Sequence, residues 1–463
     1  MIEQKIIFDL DLIKRYDKSG PRYTSYPTAV QFHEGFTAET YQEFAQKSNS
    51  EPLKPLSLYF HIPFCDTVCF YCACNKIATK DRSLAATYLM YLQKEIAMQG
   101  QLFNPARPVT QLHWGGGTPT FLNHDEMTTL MQTTAKHFHL LDDDSGEYSI
   151  EIDPREATVD TIKLLRELGF NRMSLGVQDF APEVQKAVNR IQTEEQTFTI
   201  LEAARQQGFK SVSIDLIYGL PHQHVDSFVQ TLEKVMAVKP DRLSIFNYAH
   251  LPTLFKPQRR INDADLPSPT EKLAILQTTT EYLLEQGYVY IGMDHFARPD
   301  DEMAIAQRNG TLYRNFQGYS THADCDLVGL GTTSIGKVGH SYSQNVKTLE
   351  EYYAKLDADE LPVFRGVALT ADDLIRREVI TQLICHFQLE MRKIEAAYNI
   401  MFTDYFSQEL DELKNMQQDG LVTVDNEFIT ISPAGRLLVR NICMVFDIYL
   451  RQKNAQQRFS KVI

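Results

Sequence analysis

Residues 56–74, LSLYFHIPFCDTVCFYCAC, set a short apolar strand directly before four cysteines packed into ten residues, Cys65 to Cys74. The whole chain of 463 residues contains seven cysteines. Cys65, Cys69 and Cys72 follow a C-x3-C-x2-C spacing, with Cys74 two residues further on. A structural zinc site closes a tetrahedron with four ligands, commonly as two knuckles far apart in sequence. No second knuckle exists here, and Cys72 and Cys74, one residue apart, cannot both bind one metal without strain. Three thiolates on one tight loop suit three corners of a [4Fe–4S] cube, leaving the fourth iron open to an external ligand. The spacing favours that reading over zinc. A disulfide is disfavoured in a reducing compartment, where clustered cysteines signal metal or catalysis. Cys325, Cys385 and Cys443 lie singly and read as buried thiols.

Composition narrows the class. The chain is 43% hydrophobic and 23% charged, ordinary values for a globular protein. Its length suits a large α/β domain with appendages. The start, MIEQKIIFDLDLIKRYDKSG, lacks the basic and apolar regions of a signal peptide. No stretch approaches the ~18 apolar residues of a membrane span. The expectation is a soluble cytoplasmic protein with no membrane partner. Net charge is −14, from 60 acidic and 46 basic residues. Phosphate binding needs a concentrated basic face, so nucleic acid is disfavoured as a partner.

From Leu56 onward, strand-like runs alternate with helical stretches. The runs are 56–62, 110–114, 148–153, 172–177, 211–218, 242–247 and 288–293. Several intervening helices stop at a glycine directly before the next run, as in RELGF, RQQGF and LEQGY. Such alternation implies an α/β fold with a parallel sheet and right-handed crossovers, and places ligands at the C-terminal strand ends. Residues 1–40 form a turn-rich aromatic extension, including SGPRYTSYPTA, expected to cover the active site. Residues 41–365 form the catalytic domain and 366–463 a mostly helical C-terminal domain. Within the last, NMQQDGLVTVDNEFITISPAGRLLVRNICMVF outlines a winged helix. Charges there are nearly balanced, which favours a lid or docking element over a DNA reader.

The unusual motifs sit at strand ends. GGGTP, Gly115–Pro119, permits close backbone approach; without a following Lys-Ser/Thr it is not a P-loop. A tight strand–helix turn is the plain alternative. Glu151 ends a strand, where it can accept hydrogen bonds from ribose hydroxyls or serve as a surface ion-pair partner. Asp215, between apolar neighbours, needs a strong partner, such as Arg190 or a ligand. His61 reads as a loop-structuring hydrogen bonder. For Cys74 three roles stand open: spare thiol, proton donor or substrate contact, and labile extra ligand.

The cysteine spacing, with Tyr71 before its last member, resembles the radical S-adenosylmethionine superfamily. SGPRYTSYPT, LYFHIPFC, CACNKI, HWGGGTPT, EIDPRE, LGVQDF, IDLIYGLP, FNYAHLPT, MDHFARPDDE, GRLLVRNICM and FDIYLRQK together resemble the oxygen-independent coproporphyrinogen III oxidase (dehydrogenase) family. That resemblance spans nearly the whole chain. It implies a partial (β/α) barrel with a curved parallel sheet. It implies a [4Fe–4S] cluster on Cys65, Cys69 and Cys72 and two molecules of S-adenosylmethionine. Tyr59, Tyr71, Gly116, Glu151, Ala249 and Ile335 match contacts to the first, and Gly117, Thr118, Gln178, Arg190 and Asp215 contacts to the second. Cys74 is assigned to catalysis without being a cluster ligand.

The implied reaction is oxidative decarboxylation of two propionates of coproporphyrinogen III to vinyl groups, giving protoporphyrinogen IX. The partners are that tetrapyrrole and an electron donor of flavodoxin or ferredoxin type, with the protein itself a monomer. Four propionates call for local arginine forks. Arg22, Tyr23, His295 and Arg298 are the substrate candidates, with Arg259 and Arg260 also considered. The rivals are a haem chaperone or haem-degrading paralogue, and a metal-sensing winged-helix regulator.

Overall fold

The structure is a computed structural model and describes residues 5–50, 52–322 and 325–451. The ends of the N-terminal extension and of the FDIYLRQK motif, at 1–4 and 452–453, lie outside the described residues. The chain forms two compact units. One comprises residues 32–279 and 324–368; the other comprises 1–31, 280–323 and 369–463.

The first unit is built on six parallel strands: β1 (Leu56–Ile62), β2 (Pro108–Gly116), β3 (Glu147–Ile152), β4 (Arg172–Gln178), β5 (Ser211–Tyr218) and β6 (Arg242–Asn247). Their order in the sheet is their order in the chain, with no switch point. Right-handed crossovers between successive neighbours put every helix on one face, and strand twist curls such a sheet into part of a barrel. This is the partial (β/α) barrel that the family resemblance implies. Strand β7 (Asp326–Leu330) joins the free side of β1 in parallel. It continues antiparallel through β8 (Ile335–Val338), β9 (Ser341–Asn345) and β10 (Val363–Ala368). The sequence pattern did not distinguish this meander, because its short strands lack intervening helices.

Local chemistry explains the helices. Residues His124–His137, Val159–Glu167, Glu194–Gln206 and Val225–Ala237 each begin with a reciprocal capping box, at Asn123, Thr158, Thr193 and His224. The glycines of RELGF and RQQGF adopt φ of +96° and +76°, the left-handed region that a side chain disfavours. Trp114 of β2 is fully buried and meets Phe60 and Phe170 edge-on. A buried ion pair, Arg107 Nη2 to Asp326 Oδ2 at 2.6 Å, ties the entry to β2 to the start of β7.

In the second unit, Val289–Gly292 pairs antiparallel with His295–Ala297. The seventh sequence run therefore makes a hairpin, since a two-residue turn cannot span a parallel crossover. Residues 369–451 are mainly helical, with a small antiparallel sheet of Gln388–Glu390, Phe428–Ile431 and Val422–Val424. Helix Ser407–Gln418, two short strands and helix Val439–Val445 give the winged-helix outline.

Candidate active site

The C-terminal ends of β1 to β6 surround a cavity of about 300 Å³. Cys65, Cys69, Cys72 and Cys74 line it, with Tyr71, Gly116, Gly117, Thr118, Glu151, Gln178, Arg190 and Asp215. Residues from six separate motifs thus meet because each lies in a parallel strand or in the connection that leaves its C-terminal end.

The cysteine loop is fastened on several sides. The Gly117 and Thr118 amides donate to the carbonyls of Ile62 and Phe64, both at 2.8 Å. Asn189 Nδ2 donates to the Val68 carbonyl at 2.8 Å, and Phe70 N to the Val188 carbonyl at 2.9 Å. His61 Nε2 donates to the Asn75 carbonyl at 3.0 Å, and the Tyr59 hydroxyl donates to its Nδ1 at 3.3 Å. Burial holds the His61 pKa below the usual range, which suits a neutral, loop-structuring ring. Gly116 has φ of +115° and packs on that ring, leaving no room for a Cβ.

Each candidate ligand thiol has its own environment. The Thr118 hydroxyl donates to Cys65 Sγ at 3.6 Å, and burial pushes the thiol pKa up to about 11. Bonding with Cys74 and the charge of Lys76 lower the pKa of Cys72, while the same bond and burial raise that of Cys74. Arg155 Nη2 and Arg190 Nη1 approach Cys69 Sγ at 3.7 and 3.6 Å. Among the described residues no three His, Cys, Asp or Glu side chains converge on one metal ion. A cube distributes its ligands over separate irons and needs no such convergence. Three thiols of one loop, facing a cavity and flanked by cationic donors, fit an iron–sulfur cluster.

The carboxylates differ from one another. Glu151 accepts from the Gly116 amide at 3.2 Å and from His113 Nε2 at 3.3 Å, and its side chain, 48% exposed, opens onto the cavity. Burial acts to raise its pKa, but His113 and the amide hold it below the usual range. Asp215 accepts from Ser174 Oγ at 2.8 Å and also bonds Ser244. Burial pushes its carboxyl up to about 6. Arg190, offered from sequence as a partner for Asp215, forms its ion pair with Asp153 at 2.9 Å.

Tyr59, Ala249 and Ile335 are not among the cavity-lining residues. Tyr59 stacks on His113 with centroids 5.8 Å apart. Gln258, not singled out in the sequence, donates to the carbonyls of Tyr71 at 2.9 Å and Ala249 at 3.3 Å, joining two candidates far apart in the chain. Ile335 starts β8, with its backbone against Gly329 of β7. The Arg260 guanidinium lies over the Phe70 ring at 5.1 Å, and Arg259 Nε donates to the Pro252 carbonyl at 2.9 Å. Asp153 and Arg155 were also missed; EIDPRE displayed them, but no periodicity marks a side chain that turns toward a distant loop.

The four principal substrate candidates belong to the second unit and have local partners there. Arg22 is paired with Asp294, and Arg298 Nη2 with Asp300 at 3.0 Å. The Tyr23 hydroxyl donates to Asp447 at 3.0 Å. His295 packs edge-on against Tyr319 at 5.2 Å.

A parallel strand layer carrying a three-cysteine loop and a glycine-rich loop at its C-terminal edge defines a radical S-adenosylmethionine protein. The model of the radical SAM superfamily matches residues 59–235, and that of the HemN C-terminal domain matches residues 369–438. The oxygen-independent coproporphyrinogen III oxidase of Pseudomonas aeruginosa is 57% identical over 99% of both chains. That of Escherichia coli is 53% identical over the full length of both. A solved structure, coproporphyrinogen III oxidase (HemN) from Escherichia coli, described as a radical SAM enzyme, superposes with a TM-score of 0.92 at 51% identity. It covers 96% of this chain and 100% of the other. The chain belongs to the family of oxygen-independent coproporphyrinogen III oxidases, radical SAM enzymes that use a [4Fe–4S] cluster and S-adenosylmethionine. Neither the chaperone and haem-degrading readings nor the regulator reading is favoured by these matches.

Proposed function

We propose that this chain catalyses the oxidative decarboxylation of two propionate side chains of coproporphyrinogen III to vinyl groups, giving protoporphyrinogen IX in haem synthesis without oxygen. The observation that carries the proposal is one cavity lined by three cysteines of one loop, a glycine-rich loop and strand-end carboxylates, in a chain alike to these oxidases along its full length.

The bound cluster and S-adenosylmethionine would supply one-electron cleavage of a carbon–sulfur bond and removal of a hydrogen atom from a propionate β-carbon, and loss of carbon dioxide with one further electron to an electron acceptor would leave the vinyl group. Cys65, Cys69 and Cys72 hold the cluster in this proposal. Glu151 accepts hydrogen bonds from ribose hydroxyls of a first cofactor molecule, beside Tyr59, Tyr71, Gly116, Ala249 and Ile335. Gly117, Thr118, Gln178, Arg190 and Asp215 hold a second. Cys74, which lines the cavity, serves as a proton donor in this proposal. Arg22, Tyr23, His295 and Arg298 are assigned to the substrate carboxylates and ring, with residues 1–40 excluding water from the reaction. Binding then exchanges the Arg22–Asp294 and Arg298–Asp300 pairs for propionates. The proposal includes a flavodoxin- or ferredoxin-type donor, a monomeric state and a cytoplasmic location. No helix among the described residues is long and apolar enough to cross a membrane.

The deciding experiment is an anaerobic assay with dithionite, S-adenosylmethionine and coproporphyrinogen III. Formation of 5′-deoxyadenosine together with a divinyl product supports the proposal. A cluster-loaded protein that yields neither overturns it.

A further inference from the structure

Arg155 and Arg190, both held by Asp153, converge on the sulfur of Cys69. Arg155 Nη2 is 2.7 Å from Asp153 Oδ2 and 3.7 Å from Cys69 Sγ. Arg190 Nη1 is 2.9 Å from the same carboxylate oxygen and 3.6 Å from the same sulfur. Asp153 also accepts from Arg155 Nε at 3.0 Å and from the Arg155 amide at 3.1 Å, as the N-cap of the turn Pro154–Glu156. This bidentate grip leaves the Arg155 guanidinium little freedom to swing away. Two cations against one carboxylate leave a net positive charge at one thiol of the three. The Arg155 side chain is 17% exposed, so solvent screens it only weakly.

By resemblance Arg190 serves a cofactor, whereas the site reading gives Arg155 no role. The potential of an iron–sulfur cluster depends on net charge, solvent exposure and hydrogen bonds to its sulfurs. Reduction adds an electron, and a fixed cation beside a ligand sulfur stabilises the added negative charge. We propose that Arg155 is a positioning residue that raises the reduction potential of the cluster held by Cys69, with Asp153 fixing its geometry. The electron enters from a low-potential one-electron reductant, and no bond is made or broken at Arg155. The inference rests on the cluster assignment made under the proposed function.

The test uses the full chain, anaerobically reconstituted, as wild type, Arg155→Gln and Arg155→Lys. Iron content and an EPR-monitored titration with dithionite are the readouts. Arg155→Gln should retain its iron. At a fixed solution potential its ratio of reduced to oxidised cluster should fall about tenfold, equivalent to a shift of about 59 mV for one electron. Arg155→Lys keeps the charge and should recover most of that loss. An Arg155→Gln cluster with the wild-type midpoint overturns the inference. So does loss of iron comparable to Cys69→Ser, because Arg155 would then be holding the loop together. A wild-type chain that takes up no cluster sinks the cluster assignment itself, and is told apart by its missing EPR signal.

Discussion

The carbonyl oxygen of Phe64 lies where a side chain at residue 117 would begin: a Cβ built on Gly117 would come within 2.6 Å of it. The glycine loop after β2 is thereby pressed against the segment that leads into Cys65. Strand neighbours in one parallel sheet bring the two loops together, and the absence of a side chain lets them touch.

Substituting Gly117 by Ala should accordingly disturb the cysteine loop, because the clashing atoms are backbone and cannot rotate aside. Overpacking of this kind costs roughly 1–3 kcal/mol. Thermal unfolding and iron content after reconstitution are the measurements, and both should fall. An unchanged iron content would show that the loop contact has no bearing on the cluster.

Cys69 and Cys74 should respond differently to serine. Cys69→Ser should abolish iron uptake, whereas Cys74→Ser keeps a proton donor beside Cys72 and should retain most of the iron. Iron analysis with visible absorption reads this directly. Equal loss in the two variants would make Cys74 a ligand.

Glu95, fully buried, should impose a pH dependence on stability. It accepts from the Gly331 amide and Asn345 Nδ2, both at 2.7 Å, and from the Tyr352 hydroxyl at 2.5 Å. Burial nevertheless pushes its carboxyl up to about 7. The folded state therefore holds this proton more tightly than the unfolded chain. The resulting stability is complete below the ordinary glutamate pKa of about 4.3, and is lost as pH rises through about 7. A shift of that size corresponds to roughly 3–4 kcal/mol. Melting temperatures of wild type and Glu95→Gln, followed from about pH 4 to 8, should diverge in slope over that window. Parallel curves would refute the assignment.

Much of the first unit is legible in the residues because its signals are local. Each of the six parallel strands coincides with an apolar run, and the glycines of RELGF and RQQGF stop helices through their own backbone freedom. The antiparallel meander after β7 was not legible, since SIGKVGH and SYSQN are short and mostly polar. They become strands only by pairing with neighbours already in place.

The same division runs through the site. Sequence by itself determined that the cysteine loop, the glycine loop and the residues at the following strand ends would meet, because such a motif is delivered to the C-terminal edge whatever its partners are. It separated Cys74 from its three neighbours by spacing alone. Only the tertiary structure decided how those residues pair: Arg190 with Asp153 rather than Asp215, serine hydroxyls on Asp215, Gln258 between Tyr71 and Ala249. The reason is physical. Strand order follows from chain connectivity, but the partner of a buried charge depends on distances of a few ångströms between segments remote in sequence.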